Sequence, residues 1–139
     1  MANPLDRSIT HLLHRASQAA SDCFAREADD SDITPRQMAV LTAISADEGA
    51  SQTDVVAATG IDRSTMADLM RRLIKKGLVK RRRSRLDARA YQLALTGAGE
   101  KALTKLTPVL ERAETAILQA LPAKRRGDLL SLLLVVARK

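Results

Sequence analysis

Apolar residues recur at three- and four-residue spacing along most of the chain, the mark of helices that bury one face. Leu5, Ile9, Leu12, Leu13, Ala16, Ala20, Cys23 and Phe24 form the first such stripe. The spacing predicts one amphipathic helix that closes at the acidic, polar stretch Glu27 to Asp32. A second helix opens at Thr34-Pro35-Arg36-Gln37, where Thr34 caps the first turn, Pro35 suits the first helical position and Gln37 completes a capping box. Met38, Leu41, Thr42 and Ile44 are its buried stripe, and Asp47-Glu48-Gly49 stops it. A short third helix starts at another capping box, Ser51-Gln52-Thr53-Asp54, and ends at Thr59-Gly60. After the tight turn Ile61-Asp62 a fourth helix begins at once. Its apolar face is Met66, Leu69, Met70, Leu73 and Ile74, and its other face carries Arg63, Ser64, Thr65, Ala67, Asp68, Arg71, Arg72, Lys75 and Lys76. Gly77 ends it, since a residue without Cβ enters the left-handed cap freely.

The period then changes. Leu78 to Arg81 and Ala90 to Leu95 bracket a charged tip, Arg82 to Arg89, and predict a hairpin. Tyr91, Leu93 and Leu95 alternate with Ala90, Gln92 and Ala94, the pattern of a half-buried strand. Thr96 caps a fifth helix with apolar positions Leu103, Leu106, Leu110, Ala113, Ile117 and Leu121, the seam of a coiled-coil-like contact. Pro108 lies inside it and is expected to kink it or split it in two. A last helix, from about Pro122, ends in the apolar run Leu129 to Ala137, more than one small domain can cover. A partner chain could cover it.

Composition narrows the function. With 139 residues the chain has a single-domain length, and a 45% hydrophobic share is enough for a core. Only 1% is aromatic, Phe24 and Tyr91, which argues against modules that stack bases or sugars on aromatic rings. A net charge of +7 makes nucleic acid or an anionic surface the expected partner. That charge is concentrated. Between Arg71 and Arg89 ten Lys and Arg face the single Asp87, so the rest of the chain sums to −2. The N-terminus lacks the basic and apolar regions of a signal peptide, and the longest apolar run falls far short of the roughly 20 residues that cross a membrane. A cytoplasmic protein without a membrane partner is expected, and the single Cys23 fits a reducing compartment.

Two short helices joined by a tight glycine-containing turn, the second with a basic, hydroxyl-bearing face, describe a helix-turn-helix. Arg63, Ser64 and Thr65 open the helix suited to a major groove, where Arg can bond guanine through two hydrogen bonds and Ser or Thr can donate or accept. Arg71 and Arg72 continue that face, and the hairpin, with Arg83 and Arg85 at its tip, would be a wing touching phosphates or a minor groove. The plainer alternative is an ordinary helical hairpin with a solvated face. The basic segment, which covers both helix and tip, favours the DNA reading.

Thr34 to Leu41, Ile61 to Met66, Leu73 to Val79, Asp87 to Ala90 and Leu93 to Gly99 together resemble the MarR family of winged-helix transcription regulators, and the resemblance covers nearly the whole chain. It implies a mainly α-helical fold with a small β-hairpin wing, in which residues 34–96 are the DNA-binding region and residues 1–30 and 97–139 are dimerisation helices. It also implies a homodimer on a palindromic operator. As in many members, a small aromatic or phenolic acid, an acyl-CoA thioester or an oxidant would release the DNA. The family's wing Asp-x-Arg falls on Asp87 and Arg89: the Arg enters the minor groove and the Asp steadies the wing. Ala88, Ala67, Asp68 and Arg71 depart from the residues frequent at those places, and Asp68 can pair with Arg71 or Arg72 one turn on.

Other constellations carry less. His11 and His14 have a spacing that could place both on one metal, but no third ligand is adjacent, and they read as solvated or pocket-rim residues. The resemblance implies an effector pocket between the dimerisation helices and the winged helix, and makes His14 and Arg15, polar residues of the first helix near that junction, the candidate effector contacts. Cys23 falls on the apolar face and is expected to be a buried, inert thiol. No nucleophile stands beside a base, so neither an enzyme nor a cofactor is expected. The sequence thus points to a DNA-binding repressor released by a small-molecule effector. The alternatives are an effector-independent or architectural DNA-binding protein and a regulator responding to oxidation of Cys23.

Overall fold

A computed structural model describes residues 2–87 and 90–138. Its helices are α1 (Ile9–Ala28), α2 (Pro35–Ala46), α3 (Gln52–Thr59), α4 (Arg63–Lys75), α5 (Gly97–Leu118) and α6 (Arg126–Ala137). Strands β1 (Val79–Arg83) and β2 (Tyr91–Leu95) pair antiparallel, and 3-10 turns occupy Pro4–Arg7 and Ala123–Arg125. This is the mainly helical, hairpin-bearing fold expected from the sequence. The chain forms two compact units, Asp32–Pro108 on the one hand and Met1–Ser31 with Val109–Lys139 on the other, so the division falls within α5.

In the unit Asp32–Pro108 local chemistry sets the helix ends. The Thr34 hydroxyl accepts from the Gln37 N–H at 3.2 Å while the Gln37 side chain accepts from the Thr34 N–H at 3.1 Å. Ser51 and Asp54 repeat the exchange at 3.1 and 2.8 Å, and both boxes satisfy donors that a helix start leaves open. Gly60, at φ 70°, ends α3, and Gly77, at φ 75°, follows α4. Val40, Leu41 and Ile44 of α2, Val55 of α3, Met66, Met70 and Leu73 of α4, Val79, Leu93 and Leu106 are the buried core. Each such side chain contributes about 1.5–3 kcal/mol.

The hairpin departs from expectation at its tip. Arg82 and Arg83, read as part of the loop, belong to β1, opposite Gln92 and Tyr91. Four consecutive cations are poor strand formers by themselves, but cross-strand pairing supplies what propensity lacks. Of the alternating residues of β2 only Leu93 is buried; Tyr91 is exposed. Beyond β2, the Leu93 N–H donates to the Ala50 carbonyl at 2.8 Å, so the segment between α2 and α3 pairs with the outer edge of the hairpin. Where β2 passes into α5, the Thr96 N–H donates to the Leu78 carbonyl at 3.0 Å and the Thr96 hydroxyl accepts from the Gly99 N–H at 3.0 Å. A Cβ at Gly99 would lie 2.0 Å from the Leu78 oxygen. Only glycine fits there.

The unit formed by the two chain ends holds further corrections. The first helix does not begin at Leu5. Ser8 leaves helical geometry at φ −90°, ψ 108°, and its hydroxyl caps α1 by accepting from the His11 N–H at 3.2 Å. Pro108 does not split α5, which runs unbroken to Leu118. One missing N–H costs a single intrahelical bond, and buried Leu106, Val109 and Ala113 hold the helix on both sides of the proline. The helix stops before Leu121, and Arg126 donates from Nε to the Leu118 and Leu121 carbonyls at 3.0 and 3.2 Å, closing its C-terminus. Glu27 of α1 and Arg112 of α5 form an ion pair at 3.1 Å. Much apolar surface stays in solvent: Ile9 is 76% exposed, and Leu130, Leu132 and Val135 of α6 are 61–70% exposed. Cys23 is half-buried rather than buried, because the stripe it belongs to is itself largely uncovered, and its sulfur lies 3.2 Å from an Arg26 guanidinium nitrogen.

Candidate nucleic-acid interface

The turn Thr59–Asp62 sets the start of α4. Gly60 takes the left-handed conformation that reverses the chain after α3, and Asp62 then caps α4. Its Oδ1 accepts from the Thr65 N–H and the Ser64 hydroxyl, both at 2.9 Å, and its Oδ2 accepts from the Thr65 hydroxyl at 2.7 Å. The Thr65 backbone N–H, then the Thr65 and Ser64 hydroxyls, hold the Asp62 carboxyl down at about 2. At neutral pH it is an anion at the positive end of a helix, a favourable place. Ser51 hydrogen bonds lower the Asp54 pKa in the same way at the start of α3.

Ser64, Asp68, Arg71 and Lys75 follow one another at i, i+4, i+7 and i+11 and are all exposed, so they run as one ridge along α4. Arg63 at the first helical position and Arg72 flank it, also exposed, while Thr65 is half-buried. Arg71 is ion-paired with Asp68 on the ridge itself, as the spacing suggested. An exposed pair of this kind is worth well under about 1 kcal/mol, so it can open for another acceptor. Lys76 behaves differently from its neighbours. Its ammonium lies 3.2 Å from the Asp32 carboxylate, 3.2 Å from the Asp32 carbonyl and 3.4 Å from the Gln37 side chain, so it ties the end of α4 to the start of α2.

On the hairpin, Arg83 holds its guanidinium 6.0 Å from the centre of the Tyr91 ring, a cation–π distance. Arg81 donates to the Gln52 side chain at 3.3 Å. Lys80 and Arg82 line a groove of about 460 Å³ with Ile44, Leu93 and the carboxylates Glu48 and Glu100, which offset part of their charge. Arg85 and Asp87 are exposed at the tip. Ser84 gathers that tip: its hydroxyl accepts from the Leu86 and Asp87 N–H groups at 3.2 and 3.4 Å, and its own N–H donates to the Ala90 carbonyl at 2.9 Å. Arg89, the wing arginine of the sequence reading, lies outside the described residues, as does Ala88.

Thus Arg63, Ser64, Thr65, Arg71 and Arg72 come together on α4, and Arg83, Arg85 and Asp87 on the hairpin. Sequence reasoning missed Asp62 and Ser84 as organisers. Asp before a helix with hydroxyls two and three residues on is a signal that could have found the first. The effector candidates His14 and Arg15 are exposed on α1, and His11 is half-buried. Among the described residues no three metal-ligating side chains cluster. None of the described helices is long and apolar enough to cross a membrane.

Comparison with known proteins bears on this geometry. The sequence profile of the MarR family matches residues 31–90. A transcriptional regulatory protein assigned to the hcr operon of Thauera aromatica is 32% identical over 122 residues, 87% of this chain and 74% of that protein. BpsR of Bordetella bronchiseptica, whose DNA binding is regulated by 6-hydroxynicotinic acid, superposes with a TM-score of 0.89 at 27% identity, over 100% of this chain and 99% of that one. The repressor CouR, solved on a 23-mer DNA duplex, gives a TM-score of 0.86 at 29% identity over 96% and 94% of the two chains. CouR bound to p-coumaroyl-CoA gives 0.88 at 27% identity over 100% and 98%. A winged helix whose fourth helix exposes a row of cations, matched over most of its length by transcription regulators, leads to one conclusion: the chain belongs to the MarR family.

Proposed function

We propose that the chain is a homodimeric, sequence-specific DNA-binding regulator, a repressor released from a palindromic operator by an aromatic or phenolic acid or an acyl-CoA thioester. The ridge of α4 carries the reading, because it exposes Ser64, Arg71 and Lys75 beside Arg63 and Arg72 at the end of a glycine turn. On this reading Arg63, Ser64, Thr65, Arg71 and Arg72 enter the major groove. Arg83, Arg85, Asp87 and Arg89 form the wing, where cations meet phosphate or a narrow minor groove. Residues 34–96 bind DNA, and residues 1–30 and 97–139 join two copies. The exposed apolar surface of α6 and of Ile9 supports that assembly. The protein acts in the cytoplasm, as a regulator rather than an enzyme.

Effector control is supported by the ligands of BpsR and CouR. A ligand must bind the DNA-free arrangement better to shift the equilibrium. Half-sites about 34–36 Å apart give it a spacing to disturb. His14 and Arg15 are the proposed contacts.

The test uses intergenic DNA from the protein's own locus, labelled for fluorescence anisotropy. Binding should select a palindromic segment, and 6-hydroxynicotinic acid, p-coumaroyl-CoA and simple phenolic acids are then titrated in. A true effector at 100 times its dissociation constant also raises stability by about 2.7 kcal/mol. Release unaltered in a His14→Ala, Arg15→Ala double variant would refute those two contacts. No binding beyond that of scrambled DNA would refute the function.

A further inference from the structure

The start of α4 has a polarity that the residue types alone do not show. Ser and Thr hydroxyls each have one hydrogen and two lone pairs, so a free hydroxyl can face either a donor or an acceptor. Here both hydrogens are spent. Ser64 donates to Asp62 Oδ1 at 2.9 Å and Thr65 donates to Asp62 Oδ2 at 2.7 Å. What these groups still offer is lone pairs only. Asp62 itself is acceptor-only, and Arg63, the residue between, is donor-only.

The major groove presents matching polarities. Guanine and thymine show only hydrogen-bond acceptors there, cytosine shows a donor at its N4 amine, and adenine shows a donor at its N6 amine. Resting on the reading of α4 as the recognition helix, we infer that Asp62 is a specificity-determining residue: by consuming the hydroxyl hydrogens of Ser64 and Thr65 it makes the helix start select an exocyclic amine, of cytosine or adenine. Arg63, with its donors, takes a neighbouring guanine edge. A thymine O4 or guanine O6 facing Ser64 meets an oxygen with no hydrogen to give, and is rejected. Asp62 acts by positioning, through Ser64, which is exposed, more than through Thr65, which is half-buried.

Asp62→Gly separates this role from helix capping. Glycine serves at an N-cap nearly as well as Asp, so the fold is kept, which a thermal melt verifies. With the carboxylate gone, neither Oδ1 nor Oδ2 takes a hydroxyl hydrogen, and Ser64 and Thr65 are each free to donate toward DNA.

The full chain and its Asp62→Gly variant are each used to select from a duplex library with a random core. The wild type should enrich cytosine or adenine at one position in each half-site. Replacing that base in the selected duplex by 2-pyrimidinone or purine, which lack the amine, should weaken binding about tenfold. The variant should lose the preference or turn it toward thymine or guanine, and should be indifferent to the missing amine. Identical enriched sequences for both proteins, or no effect of the amine on the wild type, would overturn the role of Asp62 while leaving a sequence-reading regulator intact. Enrichment of no sequence by the wild type would overturn that regulator reading, and this inference with it.

Discussion

Replacing Gly99 by alanine should destabilise the unit Asp32–Pro108, although alanine is the better helix former. Gly99 lies in the first turn of α5, and the added Cβ would sit 2.0 Å from the Leu78 oxygen and 3.0 Å from its carbonyl carbon. Ordinary carbon–oxygen contacts lie near 3.3 Å or beyond, so backbone must move by about 1 Å. The Leu78 carbonyl cannot swing away cheaply: it accepts from the Thr96 N–H at 3.0 Å, and the Leu78 N–H donates to Leu73 at 3.0 Å. Moving α5 instead pulls on the Thr96 hydroxyl, 2.5 Å from the Gly77 carbonyl. Overpacking of this kind costs about 1–3 kcal/mol, and a weakened hydrogen bond adds about 1. Against this, alanine gains up to about 1 kcal/mol of helix propensity. A net loss of roughly 1–3 kcal/mol remains, which for a chain of this length lowers Tm by about 5–10 °C. Gly97→Ala is the internal control, since a Cβ there meets nothing within 4 Å. It should leave Tm unchanged or raise it slightly. Both variants are melted side by side by circular dichroism. A Gly99→Ala protein within about 2 °C of wild type would show that the junction of β2 and α5 yields freely, and the packing argument would fail.

The Asp62 cap should weaken in acid. Its folded pKa, about 2, lies below the ordinary 3.8, so its contribution is fully present above pH 3.8 and fades as pH falls through about 2. The Tm gap between wild type and Asp62→Ala, followed from pH 6 down to about pH 2, should therefore narrow below about pH 4, and a constant gap would contradict it. Thr34→Ala removes one half of a capping box and should cost about 1 kcal/mol in denaturant unfolding. On DNA, Arg63→Ala should change which sequences bind best. Arg85→Ala should weaken binding to all sequences alike and lower the salt slope by about one phosphate contact. Sedimentation at micromolar concentration should find two chains together, and Leu132→Glu, placed on the exposed side of α6, should shift them toward monomer.

Much of this fold was legible because its signals are short-ranged. Thr34 with Gln37 and Ser51 with Asp54 each act across three residues, and Gly60 and Gly77 act on their own backbone. No distant partner is needed for any of these, so residue type and spacing were enough to place α2, α3 and α4. The concentration of charge over α4 and the hairpin was likewise a property of sequence alone. Other features need partners far along the chain. Arg82 and Arg83 became strand only because Gln92 and Tyr91 lie opposite. Ala50 entered the pairing through Leu93, and Gly99 was required by the carbonyl of Leu78. Lys76 looked like one more cation on the exposed face of α4 until Asp32 and Gln37 claimed it. Even the hydroxyls of Ser64 and Thr65, correctly placed at the helix start, had an undetermined polarity until the Asp62 carboxylate fixed where their hydrogens go. A sequence specifies which groups can bond. Close approach in three dimensions decides which of them are already taken, and so what is left to meet a ligand.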